Sequence, residues 1–361
     1  MDQTPAQSGF RMPAEWEGHE ATWIAWPHEK ADWPGKFAAI PFVYAEIVRL
    51  LALSETVRIL VDTAAVQRRV RSLLTQAGVD LKPVEFFLVP TDRVWTRDYG
   101  PIFVTNANRE VAQTDWQFNA WAKYPNWQRD DAVPAQLQPL LGVNSWQPHV
   151  GSHRVVLEGG SIDVNGAGLM LTTEECLLDT VQARNPGLSR EQLEQAFADY
   201  LGVKRVLWLN KGITGDDTHG HVDDLARFVS ENTVVTVVEP NASDPNHEPL
   251  RENLERLRGM TSLDGKLLNV VELPMPDPVV FDGQRLPASY ATFYIANDRV
   301  LMPTFNDPRD RIALGILADL FPGRKVIGVH AVDLVWGLGT LHCLTQQQPK
   351  RSVPGEESRK A

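Results

Sequence analysis

Short apolar runs alternate along the chain with longer segments in which apolar residues recur every three or four positions. The short runs are typical of buried β-strands, and the longer segments are typical of amphipathic helices. The pattern predicts strands at Val57–Val61, Val84–Val89, Arg154–Leu157, Leu169–Thr172, Arg205–Leu209, Val234–Val238, Leu268–Leu273, Arg299–Met302 and Lys325–Val329. It predicts five helices, at Phe37–Leu53, Thr63–Ala77, Ser189–Leu201, Glu248–Arg258 and Pro308–Leu320.

Two of these helices begin with capping signals. Ser189 and Gln192 have the spacing of a capping box, and Asp307 precedes the proline that is expected to open the last helix. Helices that alternate with strands throughout a chain are typical of the α/β class. Clear internal repeats are absent, so the pattern alone does not establish a repeated architecture.

The composition is that of a globular protein, since 43% of the 361 residues are hydrophobic and 22% are charged. The formal net charge of −11 argues against nucleic-acid partners, which need a basic surface. No run approaches the ~20 apolar residues of a membrane-spanning helix, and the N-terminus lacks the features of a signal peptide. Two cysteines are too few for a disulfide framework. We therefore expect a cytoplasmic protein without a membrane partner.

Four loops carry the residues of chemical interest. The first, Trp95–Pro101 (WTRDYGP), suits a cation site; the alternative is a buried Arg97–Asp98 pair beside Trp95 in the core. In the second loop, Glu158 precedes two glycines. Glycines remove the side chains that would cover a carboxylate, so Glu158 either faces a cavity or lies on a solvent-exposed turn.

The third loop, THGHVDD, contains two histidines among aspartates. His219, His221 and Asp223 alternate, so they would share one face of an extended segment. Histidine and carboxylate suit a divalent metal, but they also suit proton transfer beside a carboxylate that holds a cation. A solvated acidic loop is the third alternative.

The fourth loop places a Gly-Leu-Gly segment, residues 337–339, shortly before Cys343. Closely spaced glycines let the backbone approach a ligand, and a cysteine in a polar, Gly-rich setting is a candidate nucleophile. Cys176 lies in an apolar run and is expected in the core.

Six motifs together resemble the bacterial agmatine deiminase family, which also includes the peptidylarginine deiminase of Porphyromonas type. They occur in the family's order between residues 11 and 349: RMPAEWEGHEATWIAWP, WTRDYGP, LEGGSID, THGHVDD, LPASYATFYIAN and HCLTQQQP. The resemblance implies an α/β propeller with five-fold pseudosymmetry, a single domain over residues 1–349, an active site in its central cleft, and no metal or organic cofactor. Residues 350–361 would form a polar, mobile tail.

The resemblance also implies roles for individual residues. Cys343 would be the nucleophile, and His221 would be the general acid and base. Carboxylates suit a guanidinium because they hold its plane by forked hydrogen bonds. The residues implied to contact the substrate are Asp98, Glu158, Asp223 and Trp95.

This chain departs from the family pattern at three positions. Leu338 and Thr340 stand where many members have glycines, so their bulk bears on the shape of the substrate. Thr292 stands where many members have asparagine, which alters either a substrate contact or only the packing. The implied catalytic set is intact, and we expect an active enzyme.

We therefore expect hydrolytic deimination of a small cationic guanidino compound, with agmatine first, giving N-carbamoylputrescine and ammonia. A peptide ending in arginine is the alternative substrate within the same chemistry. Two other classes stay open: a metal-dependent hydrolase built on His219, His221 and Asp223, and a guanidine-binding protein without activity. The sequence leaves the oligomeric state open, a homo-oligomer included.

Overall fold

The computed structural model describes residues 3–351, so the predicted tail lies outside the described residues from position 352 onward. The helices are α1 (Ile40–Leu51), α2 (Ala64–Gln76), α3 (Thr96–Tyr99), α4 (Gln128–Asp131), α5 (Val133–Leu141), α6 (Glu174–Leu178), α7 (Arg190–Leu201), α8 (His247–Gly259) and α9 (Arg309–Leu320). The strands are β1 (His19–Ala25), β2 (Thr56–Val61), β3 (Val84–Leu88), β4 (Ile102–Thr105), β5 (Val111–Thr114), β6 (Ser145–Trp146), β7 (His149–Val150), β8 (His153–Arg154), β9 (Asp163–Val164), β10 (Leu169–Thr173), β11 (Arg205–Leu209), β12 (Ala226–Ser230), β13 (Thr233–Val238), β14 (Asn269–Pro274), β15 (Val280–Phe281), β16 (Gln284–Arg285), β17 (Tyr294–Ile295), β18 (Arg299–Thr304), β19 (Lys325–His330) and β20 (Gln346–Pro349).

The main sheets repeat one arrangement five times. In each, a first strand pairs antiparallel with a middle strand, and the middle strand pairs parallel with a third. From first strand to third, they are β4-β5-β6, β9-β10-β11, β12-β13-β14, β17-β18-β19 and β20-β1-β2, the last of which β3 extends. Strand β20 comes from the C-terminal end and β1 from the N-terminal end, so both ends share one sheet. The topology thus contains a repeat that the sequence does not display.

A helix connects the two parallel strands of every repeat, because a parallel pair needs a long crossover. These connecting helices are α1, α5, α7, α8 and α9. All five predicted helices are present, but one of them, α2, joins β2 to β3 and stands outside the repeat. The fifth connecting helix, α5, is not predicted from the sequence, because it carries Pro139 in its interior, where proline usually ends a helix.

The loop before the first strand of each repeat contributes to one region of the molecule. Asp98 precedes β4, Glu158 precedes β9 and His221 precedes β12. Cys343 precedes β20, and Thr292 precedes β17. The candidate residues, scattered over 245 positions of sequence from Asp98 to Cys343, therefore occupy equivalent places in the five repeats.

Two local predictions need correction, whereas the capping box at the start of α7 is confirmed. Helix α9 has Pro308 rather than Asp307 at its N-cap, although Asp307 Oδ1 still accepts a hydrogen bond from the N–H of Arg309 at 2.7 Å. The predicted strand Arg154–Leu157 is wrong beyond Arg154, which pairs within β8. The following N–H groups bond to loop residues, because no neighbouring strand runs alongside them.

The buried apolar side chains form two clusters. The smaller one lies between α7 and the sheets built on β5 and β10, and it includes Cys176 as predicted. Both cysteines are free thiols. The longest helices, α2 and α8, have 13 residues. Among the described residues, no helix is both long and apolar enough to cross a membrane.

Candidate active site

A cleft of about 450 Å³ gathers most of the predicted site residues. Its wall includes Trp95, Asp98, His221 and Cys343. Glu158 and Asp223 are completely buried and are not part of that wall, although both lie next to residues that are. The cleft is thus the place where the separate loops meet.

The thiol of Cys343 lies partly buried in the cleft wall, with its Sγ 4.0 Å from Asp223 Oδ2. Gly339 makes room for it, because a Cβ at that position would lie 2.7 Å from the Trp95 ring and 3.1 Å from Cys343 Cβ. Burial, and then the charges of three nearby aspartates, raise the pKa of the Cys343 thiol well above its usual value. The thiol of the free site therefore keeps its proton until a positive charge enters.

Asp98 is presented by α3, the one-turn helix that precedes β4. Its Oδ1 accepts from the backbone N–H of Gly160 at 3.2 Å, and its Oδ2 accepts from the indole N–H of Trp121 at 3.0 Å. Burial raises the pKa of Asp98 to about 7; the charge of His221 opposes this rise, and two neighbouring carboxylates add to it. Asp98 is therefore a carboxylate whose charge is only partly balanced.

The alternative in which Arg97 pairs with Asp98 is wrong. Arg97 donates to Gln347 Oε1 at 2.7 Å, to Glu15 Oε2 at 3.3 Å and to the carbonyl of His342 at 3.3 Å. Consecutive side chains of a helical turn point in different directions, so the two do not face one another. Asp98 is left free to face the cleft.

Gly160 lies where the polar groups of the site converge. A Cβ on Gly160 would lie 2.6 Å from His221 Nδ1, 2.8 Å from Asp98 Oδ1 and 3.1 Å from Asp223 Oδ2. The absence of a side chain therefore allows an imidazole and two carboxylates to approach one another. The sequence predicts this role for the glycines, but the cleft carboxylate they uncover is Asp98 rather than Glu158.

His221 is buried among three carboxylates. Its Nδ1 lies 3.8 Å from Asp98 Oδ1 and 3.9 Å from Asp223 Oδ1, and its Nε2 lies 3.6 Å from Glu158 Oε2. Burial lowers the pKa of an imidazole, but Asp98, Cys176 and Glu158 outweigh this effect and raise the pKa of His221 well above its usual value. The ring therefore carries a proton that it could donate to a leaving group.

Glu158 is fixed beside His221 by Arg184, whose Nε donates to the two carboxylate oxygens at 3.0 and 3.3 Å. Both side chains of this ion pair are completely buried. Burial would raise the pKa of Glu158, but Arg184 and His221 lower it below its usual value. Sequence reasoning missed Arg184, because nothing in the segment around it indicates a partner 26 positions earlier.

Asp223 is ionised and has one oxygen free. His342 Nδ1 donates to Asp223 Oδ2 at 2.7 Å, whereas Oδ1 has no hydrogen-bond partner among the described residues. Burial would raise the pKa of Asp223, but His342, then His221 and Arg227, lower it below its usual value. A charged, incompletely bonded oxygen next to Cys343 suits a cationic ligand.

Sequence reasoning also missed Asp224, which lines the cleft. Burial, and then Asp216 and Asp223, raise the pKa of Asp224 well above its usual value. In the sequence the two consecutive aspartates look alike, and only the turn at Val222–Asp224 separates a bonded carboxylate from one that faces the cleft.

His219 does not share a face with His221 and Asp223, so the extended arrangement is wrong. The segment is a turn in which His219 has a φ of +63°, and its Nε2 lies 3.6 Å from Asp179. Over residues 3–351, these three side chains do not form a group with ligand atoms close enough to share a metal ion.

A different group does bring its ligand atoms together: those of Glu158, Cys176 and His221 lie within 4.8 Å of one another. Arg184 already bonds to the carboxylate of this group, and a second cation beside a guanidinium is electrostatically unfavourable. The proximity of Cys176 to His221 was not predicted from the sequence.

Two of the three departures from the family pattern bond to each other. Thr292 Oγ1 and Thr340 Oγ1 are 2.5 Å apart, and both residues are buried outside the cleft wall. The carbonyl of Thr292 also accepts from the N–H of His342 at 3.1 Å. This pair supports the loop that carries Cys343. Leu338, in contrast, lines the cleft with a φ of +67°, in the region that glycine usually occupies.

A histidine, a thiol and carboxylates around one cleft are the parts of a thiol-dependent enzyme that acts on a cation. Residues 11–349 match the family described as Porphyromonas-type peptidyl-arginine deiminase. Agmatine deiminase of Ectopseudomonas mendocina (strain ymp) is 34% identical to this chain over an alignment of 372 positions. The alignment covers 97% of this chain and 98% of the relative.

Solved structures give the same result. The structure of agmatine deiminase of Enterococcus faecalis has a TM-score of 0.90 and 34% identity, with 98% of this chain and 99% of that chain covered. A cysteine-to-serine variant of C. jejuni agmatine deiminase with substrate bound has a TM-score of 0.84 and 31% identity, with 95% and 97% covered. The chain belongs to the Porphyromonas-type peptidyl-arginine deiminase family, with the mixed α/β fold of these agmatine deiminases.

Proposed function

We propose that this protein deiminates agmatine, giving N-carbamoylputrescine and ammonia. The observation that carries this proposal is the charge balance at the thiol. Asp98 and Asp224 line the cleft with Cys343, and within residues 3–351 neither carboxylate is paired with an arginine or lysine. A planar guanidinium would supply the missing positive charge. The relatives named as agmatine deiminases support the choice of substrate.

In the proposed complex, Asp98 and Asp223 grip the guanidinium by forked hydrogen bonds and Glu158 contacts it beside His221. Trp95 covers it from the cleft wall. This grip fixes the plane of the guanidinium for attack at its carbon. Its positive charge lowers the pKa of the thiol and of Asp98, so binding drives protons off both groups.

The Cys343 thiolate then attacks the guanidinium carbon and forms a tetrahedral adduct. His221 gives its proton to the departing nitrogen, which leaves as ammonia, and a covalent S-alkylthiouronium remains. The neutral His221 takes a proton from water, and the resulting hydroxide adds to the same carbon. Collapse of this second adduct expels the thiolate, and the hydroxyl proton passes to the ammonia product or to solvent, which leaves the neutral ureido group.

The charges of the cleft favour agmatine over arginine. Glu29 lines the same cleft together with Asp32 and Asp217, of which the last two pair with Arg93 and Lys123. Glu29, which has no such pair within residues 3–351, suits the second cation of agmatine better than the carboxylate of arginine. Arg93 also lines the cleft, but its Nη1 already donates to Asp32 at 2.6 Å. A C-terminal arginine of a peptide is therefore the less favoured substrate.

We also infer that the five repeats form a single-domain α/β propeller with five-fold pseudosymmetry over residues 1–349. The identical strand order of the repeats and the sheet shared by β20 and β1 support this arrangement. Free thiols at both cysteines are typical of a reducing compartment, which supports a cytoplasmic location.

Release of ammonia from agmatine, free arginine and arginine-terminated peptides tests the proposal. We expect kcat/KM to be highest for agmatine, with N-carbamoylputrescine identified as the product by mass spectrometry. Turnover confined to peptides would overturn the substrate, and a lack of turnover with binding intact would favour a guanidine-binding protein. Activity that is lost with a chelator and restored by zinc or manganese would favour the metal-dependent hydrolase.

A further inference from the structure

His342, the residue before Cys343, is held between two carboxylates. Its Nδ1 lies 2.7 Å from Asp223 Oδ2, and its Nε2 lies 2.8 Å from Glu15 Oε2. The His342 ring is 2% exposed, and both carboxylates are buried. His342 therefore links the group that would grip the substrate to a carboxylate 208 positions earlier in the chain.

Glu15 is held in place by several further contacts. Arg227 Nη2 forms an ion pair with Glu15 Oε2 at 2.9 Å. Glu15 also accepts from Arg97 at 3.3 Å and from the N–H of Ile295 at 2.7 Å. Burial would raise the pKa of Glu15, but Arg227, His342 and Arg97 lower it well below its usual value. Glu15 is therefore ionised and fixed in place.

The protonation of the His342 ring follows from its partners. Each ring nitrogen lies within 2.8 Å of a carboxylate oxygen, and a carboxylate oxygen accepts a hydrogen bond at that distance. On this geometry both ring nitrogens donate, as in the imidazolium form. Neutral imidazole donates from a single nitrogen and would leave the other one facing a carboxylate oxygen.

We propose that His342 is a positioning residue, fixed as an imidazolium between Glu15 and Asp223, that aims the free oxygen of Asp223 at the guanidinium and keeps Asp223 charged. This inference rests on the proposed function, because Asp223 acts there as a substrate-binding carboxylate. By occupying Oδ2, His342 leaves Oδ1, which has no other hydrogen-bond partner among the described residues, to the substrate.

The pH dependence of kcat/KM is the sharpest readout of this role. The groups that face Asp223 are His342 and Cys343 from the loop before β20, His221 and Asp224 from its own segment, Asp98 from α3, and Arg227 from β12. With the imidazolium present, Asp223 keeps its charge to low pH, so Asp98 is the carboxylate whose proton shapes the acid limb near pH 7, in addition to the proton of the thiol. Without the imidazolium, burial favours a protonated Asp223, and the acid limb involves one proton more.

The test uses two substitutions that separate the two hydrogen bonds. In His342→Gln, the amide reaches toward Glu15 but loses the bond to Asp223; in His342→Asn, it donates to Asp223 without a charge. We expect His342→Gln to lower kcat/KM about ten- to hundredfold, the usual effect of losing a hydrogen bond to a charged group. The slope of log kcat/KM against pH below pH 7 should be steeper by up to one than in the wild type, and His342→Asn should lie between.

His19→Gln is the matched control. His19 is equally buried and bonds to the Glu15 carbonyl at 2.7 Å and to Glu55 at 3.3 Å, but it does not contact Asp223. We expect a lowered melting temperature with the same slope as the wild type. The proposal is wrong if His342→Gln keeps the slope of the wild type, or if His19→Gln reproduces the change.

Nitrogen NMR of the wild-type ring tests the imidazolium without any substrate. Both ring nitrogens of His342 should carry protons, and a neutral ring would overturn the inference whether or not the variants fold. A protein that shows the imidazolium but does not turn over guanidino compounds would instead refute the proposed function. The two failures are therefore distinguishable.

Discussion

The carboxylates of the site fall into two groups that differ in what balances their charge. Glu158 and Asp223 lie outside the cleft wall and have protein partners, Arg184 and His342, so their pKa values are lowered. Asp98 and Asp224 line the cleft, and their pKa values are raised: burial is the main cause, His221 opposes it, and neighbouring carboxylates add to it. The partnered group has its charge balanced within the protein, whereas the charge of the cleft group is balanced only when a cation binds.

This difference indicates which carboxylates are suited to binding the substrate. Buried carboxylates without a cationic partner are costly, and here they surround a thiol that is itself kept protonated. A guanidinium would relieve the carboxylates and activate the thiol in one step. Charge pairing inside the protein therefore holds the site together, and charge left unpaired in the cleft selects the ligand.

Replacing the nucleophile should have the largest effect. Cys343→Ser leaves the carboxylates unchanged but supplies a far weaker nucleophile, so we expect kcat to fall at least about a thousandfold. Agmatine binding, measured by calorimetry, should persist, because the cleft carboxylates remain. Loss of binding together with turnover would mean that Cys343 holds the ligand rather than attacking it.

Replacing His221, which contacts both groups of carboxylates, should have the next largest effect. His221→Ala removes the proton donor for the leaving nitrogen, and we expect a loss of about 10²–10⁴-fold in kcat. His219→Ala is the control from the same loop, since His219 contacts Asp179 instead. Equal losses in both variants, measured by ammonia release, would contradict the assignment and revive a shared role for the two histidines.

A partnered carboxylate should matter most for stability. Glu158→Gln leaves Arg184 as a buried, unpaired charge, and we expect the free energy of unfolding to fall by about 3–5 kcal/mol in urea titrations. Glu248→Gln removes a carboxylate from an exposed pair with Arg251 and should leave stability unchanged. Unchanged stability in Glu158→Gln would remove the distinction between the two groups.

A cleft carboxylate should matter most for substrate recognition. Asp98→Asn removes a charge that the guanidinium needs, so we expect a cost of about 2–5 kcal/mol, or roughly thirtyfold or more in kcat/KM. In the wild type, kcat/KM should fall as the pH drops below about 7, because protonated Asp98 is uncharged. Asp98→Asn should lack this limb, and a limb that persists would assign it to another group.

The smallest expected effect is a change in the number of protons released when a ligand binds. At pH 7 the free site holds the thiol proton and part of a proton on Asp98, and the raised pKa of Asp224 favours a proton there as well, so binding a guanidino compound that is not turned over should release more than one proton. Calorimetry in buffers of different ionisation enthalpy measures this number. Cys343→Ala should release about one proton fewer, and equal release from both proteins would place the thiol outside the charge balance.

The comparison also shows which features could be predicted from the sequence and which could not. Local signals were sufficient for the five predicted helices, for the capping box, and for a role of Gly160, because periodicity, caps and missing side chains act over a few residues. The motif order was sufficient to indicate the family that the comparisons then established. Cys343 and His221 line one cleft, and the catalytic roles that the resemblance implies for them stay a prediction.

Which carboxylate charges of the site are balanced follows from tertiary contacts and could not be predicted from the sequence. Arg184, His342 and Glu15 reach their partners across 26, 119 and 327 positions of sequence, and nothing local marks such contacts. The consecutive aspartates 223 and 224 differ because one meets an imidazole and the other faces the cleft. Burial and neighbouring charge determine the pKa of a side chain, and both are set by segments that are distant in sequence and adjacent only in the fold.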